Sequence, residues 1–172
     1  MTEVGHFLMG ATIGVLSMPR SADKKHRIAH IAAFLFLAVI PDLPFKGWGH
    51  DRYYFSHSLF VTLLLILLVG LAFLFLKELR SKLGDWPVLI GGALAWLSHL
   101  LLDSFYNQGK GIMIYWPFSE ARLALPIPWF GLGIGSPIQI AHVLLIEFIS
   151  YFPLLLLAIL LRQKWDRWNS IP

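Results

Sequence analysis

The sequence predicts an all-α membrane protein: a polytopic bundle of about five helical segments forming a single integral-membrane domain over residues 1–172, N-terminus out and C-terminus in. Three observations lead there. Hydrophobic residues make up 57% of the chain and charged ones 14%, at a mean hydropathy of +0.67, whereas soluble domains carry about 25% charged residues. Apolar runs of helical length alternate with polar or proline-bearing stretches. The cations are unevenly shared among those stretches. Arg20, Lys24, Lys25, Arg27, Lys77, Arg80, Lys82, Arg162, Lys164 and Arg167 follow the first, third and last runs, which leaves Lys46, Arg52, Lys110 and Arg122 for the other side. Positive residues favour the cytoplasm, so the larger set is placed inside.

In chain order, Val4 to Met18 is the first segment, with Gly10 and Gly14 spaced so that another helix can approach closely. The polar, acidic start Met1-Thr2-Glu3-Val4-Gly5-His6 lacks the basic region of a cleavable signal, so this segment is expected to be retained. A basic loop, 19–27, leads to Ile28–Ile40, and Pro41-Asp42-Leu43-Pro44 ends that segment because two prolines oppose helical geometry. After a polar, aromatic loop, 45–56, Leu59–Leu76 reads as the clearest span, at about 1.5 Å per residue against a core of about 30 Å. The second basic loop begins at Lys77, Pro87–Asp103 is the fourth segment, and 104–137 is an irregular connection whose aromatics suit the headgroup level. Ile138–Leu161 is the last segment, interrupted by Pro153.

The chain contains no cysteine. Disulfides and thiolate metal sites are therefore excluded, and any metal must be held by oxygen and imidazole nitrogen. No basic block is long enough to suggest nucleic acid as a partner; the partner implied by composition is the lipid bilayer.

His99 and Asp103 carry the strongest chemical signal. Four residues apart on a helix, they share one face with Cβ atoms about 5–6 Å apart, a geometry that grips one ion. The bland alternative is a pair hydrogen-bonding each other at a helix end. The alternating topology adds His6 at the outer start of the first segment, Asp42 at the outer end of the second and His57 at the outer start of the third. Each has a plain reading by itself: an interfacial side chain, a turn residue, a helix-start feature. Together they converge on one membrane level, as a ligand set should. Glu147 joins the candidates because a lone acid in an apolar helix aims at a partner or a cavity. His142 lies five residues earlier, about 140° away around the helix, so the two face one ion only with help from a kink. His50 reads as solvated, and His26 and His30 sit with the cytoplasmic cations.

His6 followed by glycines, Pro41-Asp42, His57-Ser58, His99-Leu100-Leu101-Leu102-Asp103, Gly109 and Trp116-Pro117-Phe118 resemble the bacterial inner-membrane family of predicted metal-dependent hydrolases named after YdjM, itself similar in motif order to zinc-dependent phospholipase C and P1-type nucleases. The resemblance runs from His6 to about Phe118. Pro44 stands where the family often has a second acid, and His50-Asp51-Arg52 with Phe55-Ser56-His57 replace its His-Arg-Gly and Thr-His-Ser runs.

The resemblance implies hydrolysis by a metal-activated water at the periplasmic or extracellular face of the inner membrane, on a phosphoester or lipid-linked substrate. Zn²⁺ suits a histidine–carboxylate site, with Mn²⁺ as the alternative and the number of ions open, and the ion brings the pKa of its water toward about 7. His6, His57, His99 and Asp103 are the expected ligands, and Asp42 a ligand or general base. Arg52 and Lys110 are candidates to meet a phosphate or, equally, plain loop cations. Two other classes remain open: an ion or proton-coupled transporter, and a noncatalytic scaffold whose metal ties helices together. Transport sites favour the midplane between repeated halves, and no paired halves are visible here.

Overall fold

The computed structural model describes residues 2–20, 22–43, 55–78, 85–106, 111–125 and 137–168. Among the described residues five α-helices stand out: α1 (Glu3–Leu16), α2 (Lys24–Val39), α3 (Leu59–Phe75), α4 (Trp86–Tyr106) and α5 (Pro137–Trp168). Among the described residues there is no strand; a single antiparallel bridge joins Ile112 to Leu123.

Helix α1 is the centre of the bundle, packed against α5, α2 and α4. Its glycine face makes that possible. A Cβ on Gly10 would stand 2.7 Å from the Phe34 carbonyl oxygen and 2.8 Å from the Ala38 Cβ, so α1 and α2 touch backbone to side chain with no room for a methyl group. On the other side Leu102 and Val143 are buried with Leu8, Met9 and Ile146 packed against them, joining α1, α4 and α5.

Helix α2 begins earlier than the sequence suggests. Asp23 accepts a bond from the His26 backbone N–H at 2.8 Å, so Lys24, Lys25, His26 and Arg27 are helical rather than loop. That bond, with His26 beside it, also holds the Asp23 carboxyl below the usual carboxylate range, keeping the cap ionised near neutral pH. At the other end Pro41 ends the α-helix and the chain tightens into a 3-10 turn, Ile40–Asp42. Helix α3 starts on its cap Ser58, whose hydroxyl accepts from the Val61 N–H at 3.3 Å. The segment 111–125 is irregular, as expected, and is pinned beside that start: Leu59 N–H donates to the Ile114 carbonyl at 3.0 Å, and the Ser58 hydroxyl donates to the Trp116 carbonyl.

Two expectations change. Helix α3 has 17 residues, about 25 Å, short of the roughly 20 residues a full span needs. Among the described residues, the helices long and apolar enough to cross a membrane are instead Trp86–Phe105 and Gln139–Trp168. The latter runs through Pro153 without a break and continues over Arg162–Arg167, so the basic tail is helical. On the outside of α3 and α5, Leu64, Leu67, Leu71, Leu145, Ile149 and Leu160 are exposed. Water does not tolerate so continuous an apolar face; lipid does.

Contacts along the helices give an alternating arrangement. His6 at the start of α1 meets Asp103 near the end of α4, while a Cβ on Gly91 near the start of α4 would touch Ser17 just past the end of α1. Helix α5 runs parallel to α1: Glu147 meets Thr2 and Arg162 donates to the Met18 carbonyl. The histidine–aspartate residues therefore gather at one end of the bundle, and Arg20, Arg162 and Trp165 at the other.

Candidate metal centre

Five side chains from four chain segments point at one place. His6 comes from the first turns of α1, Asp42 from the 3-10 turn, His57 from the residues before α3, and His99 with Asp103 from α4. Asp103 is the hub: its Oδ1 lies 3.1 Å from His6 Nε2, and its Oδ2 lies 3.2 Å from His57 Nε2 and 3.5 Å from His99 Nε2. Asp42 faces the same three nitrogens, at 3.9 Å from His6, 3.4 Å from His57 and 3.5 Å from His99. The His6 and His99 rings stack with centroids 3.9 Å apart.

Local sequence explains each placement. The i, i+4 spacing on α4 stacks His99 over Asp103, as the sequence predicts. Pro41, the residue before Asp42, stops α2 at Val39 and tightens the chain into a 3-10 turn that brings the carboxylate over the bundle end. Gly10 and Gly14 let α1 sink against α2 until His6 reaches α4. Ser56 and Ser58 flank His57; the first lies 2.9 Å from its Nδ1, and the second caps α3.

His6, His99 and Asp103 are 0% exposed and His57 3%, while the Asp42 side chain retains 21% exposure. Buried carboxylates need positive partners, and neutral imidazoles aimed at each other need something between them. His99 Nδ1 sits 2.8 Å from the Ala38 carbonyl, which can only accept, so Nδ1 carries the proton there. In a neutral His99, Nε2 then presents a lone pair toward His57 Nε2, only 3.2 Å away. Three imidazole nitrogens and two carboxylates around one point make a donor set of the kind a divalent cation takes.

The distances fit that demand. Bonds of about 2.0–2.1 Å to a tetrahedral Zn²⁺ place ligand atoms about 3.3–3.4 Å apart, inside the 3.1–3.9 Å spread seen here. One ligand atom each from His6, Asp42, His99 and Asp103 can be chosen so that all lie within 4.8 Å of one another. The bond from His99 Nδ1 to a carbonyl is the outer support that orients a ligating imidazole.

Of the six residues expected as ligands, His6, Asp42, His57, His99 and Asp103 come together and Glu147 is placed elsewhere. Its carboxylate accepts from the backbone N–H groups of Thr2 at 2.9 Å and Gly5 at 3.1 Å, and from the Thr2 hydroxyl. Glu147 thereby caps the start of α1, where the unpaired N–H groups and the helix dipole favour an anion. His142 is exposed. His50, Arg52, Gly109 and Lys110 lie outside the described residues. Sequence reading missed Ser56 and the Ala38 carbonyl. The serine beside His57 was a visible signal; a backbone carbonyl offers none.

The fold and the cluster define the class: an apolar, all-helical membrane protein with a buried histidine–aspartate centre able to hold a metal ion. The chain belongs to the YdjM inner membrane protein family, whose model matches residues 1–169. Neither the curated proteins nor the solved structures yield a match.

Proposed function

We propose that this protein is a membrane-bound metal-dependent hydrolase acting on a phosphoester or lipid-linked substrate at the periplasmic or extracellular face of the inner membrane. The observation that carries the reading is the convergence of His6, His57 and His99 Nε2 on the two carboxylates of Asp42 and Asp103. His6, His57, His99 and Asp103 hold the ion, with Zn²⁺ favoured by the all nitrogen–oxygen donor set and Mn²⁺ the alternative. When bound, such an ion supplies Lewis acidity toward a phosphoryl oxygen and makes water more acidic.

The remaining work falls to the chain. Asp42 is the one cluster member that water reaches to any extent, so it is the group placed to ligate at the rim or to take the proton of the attacking water. Water oxygen then bonds to phosphorus, the ester P–O bond breaks, and Asp42 returns the proton to the departing alkoxide. Ala38 and Ser56 keep the His99 and His57 rings in register.

The test is elemental analysis together with turnover. Purified protein should carry at least one Zn²⁺-like ion, lost in His57→Ala and Asp103→Ala but kept in His26→Ala, whose side chain sits exposed at the start of α2 beside Asp23. A phosphoester lipid analogue should be hydrolysed by the metal-loaded protein and not after chelation, with recovery on adding Zn²⁺ or Mn²⁺. Equal metal in all three variants overturns the site. Metal-loaded protein inert toward every phosphoester and acyl ester overturns the hydrolase.

A further inference from the structure

Helices α2 and α3 both pack on α4 but, among the described residues, scarcely touch each other. Between them lies a cavity of about 700 Å³. Its walls are apolar: Ala33 and Leu37 from α2, Leu65 and Ile66 from α3, Leu89 and Ala93 from α4. Among the described residues, the polar side chains on it are His26, His30, Thr62 and Trp96. None is a carboxylate, lysine or arginine, and His30 already faces the Gly14 carbonyl at 3.0 Å.

We propose that this groove holds one hydrocarbon chain of the lipid whose phosphate sits at the metal centre, a proposal that rests on the hydrolase reading and names its substrate as a long-chain lipid phosphoester. Continuity is the first argument. Each wall leads directly to the cluster: Leu37 precedes Ala38, the carbonyl partner of His99; Thr62 donates its N–H to the carbonyl of Ser58, next to His57; Trp96 stands three residues before His99. A chain lying in the groove therefore ends about one helical turn from the metal ligands.

Size is the second argument. Along α2 the lining runs from His26, at the basic end of the bundle, to Leu37 beside the cluster, about 16 Å at 1.5 Å per residue, a narrow length that suits an extended hydrocarbon chain. Small residues keep the floor open: Ala33, Ala93 and Gly92, where an added Cβ would meet only Leu37 Cδ1, at 3.4 Å.

The experiment uses the full-length, metal-loaded protein in phosphatidylcholine nanodiscs doped with phosphatidic acid carrying a mid-chain diazirine. Illumination should place adducts on residues near Ala33, Leu65 and Ala93, in clear excess over Leu154 and Leu157 on the exposed face of α5. Ala33→Trp and Gly92→Leu, which fill the groove from two different helices, should each lower those adducts and the turnover of a long-chain phosphoester by about tenfold while leaving metal content and hydrolysis of water-soluble bis(p-nitrophenyl) phosphate within about twofold. Adducts spread evenly over α5 and the groove overturn the proposal, since they mark ordinary surrounding lipid. So does an equal fall for long-chain and soluble esters in both variants. Groove adducts in a wild type that binds no metal and hydrolyses nothing uphold the chain site and retire the hydrolase instead.

Discussion

Asp42 differs from its four neighbours in one physical respect: water reaches its side chain, at 21% exposure, while His6, His99 and Asp103 are sealed and His57 nearly so. Exposure decides the division of labour. A sealed carboxylate with three histidine partners, such as Asp103, is committed to holding charge, and removing a partner from so buried a set costs about 3–5 kcal/mol. A carboxylate at the rim can take up and release a proton. Asp42→Asn keeps the shape and loses the base, so it should retain the fold and much of the metal while turnover of a phosphoester lipid analogue falls about 10²-fold or more. An unchanged rate, measured alongside metal content, removes Asp42 from the proton transfer. All five cluster residues could be picked out beforehand, because polar groups at the ends of apolar runs are conspicuous. The Ala38 carbonyl could not, because every residue has one.

At the scale of elements, α1 is held at both ends by α5. Glu147 takes the N–H groups of Thr2 and Gly5 at one end, and Arg162 reaches the Met18 carbonyl while also pairing with Asp166 at 3.0 Å at the other. Because His6 directly follows Gly5, the Glu147 clamp sets the height at which His6 meets Asp103. Glu147→Gln keeps one accepting oxygen but no charge; it should lower thermal stability by about 1–3 kcal/mol, the cost of leaving a buried donor poorly satisfied. Metal content should stay near wild type. A metal loss as large as that of His57→Ala would place Glu147 among the ligands after all. Close packing gives α1 its second constraint: Gly10→Leu must push α2 away at the Phe34 carbonyl and should abolish metal binding by separating His6 from Asp42.

The whole molecule is polar in the electrical sense: a histidine–aspartate centre at one end, basic and aromatic residues at the other. By the positive-inside rule that asymmetry predicts an orientation with the candidate site facing out, and the prediction can be tested. The absence of native cysteine makes the test clean. A single cysteine at exposed Glu120, in the segment pinned to the start of α3, should react with an impermeant thiol reagent in spheroplasts, whereas one at exposed Lys77, just past the end of α3, should react only after the membrane is opened. The reverse pattern inverts the topology and moves the proposed substrate to the cytoplasmic side.

Composition by itself determined that this chain belongs in a membrane, since its apolar excess far outweighs what a 172-residue core can bury. Apolar runs and the two prolines after Ile40 located most helix ends to within about four residues, because those signals are local, but not the C-terminal end of α5, which runs past Leu161 to Trp168. Spacing also put His99 over Asp103. Only the tertiary structure decided what lies far apart in sequence: that Glu147 caps α1 instead of joining the cluster, and that α2 and α3 leave a groove between them. Each depends on which helix packs against which. Packing is settled by distances such as the 2.7 Å that Gly10 leaves to the Phe34 carbonyl, which no local pattern encodes.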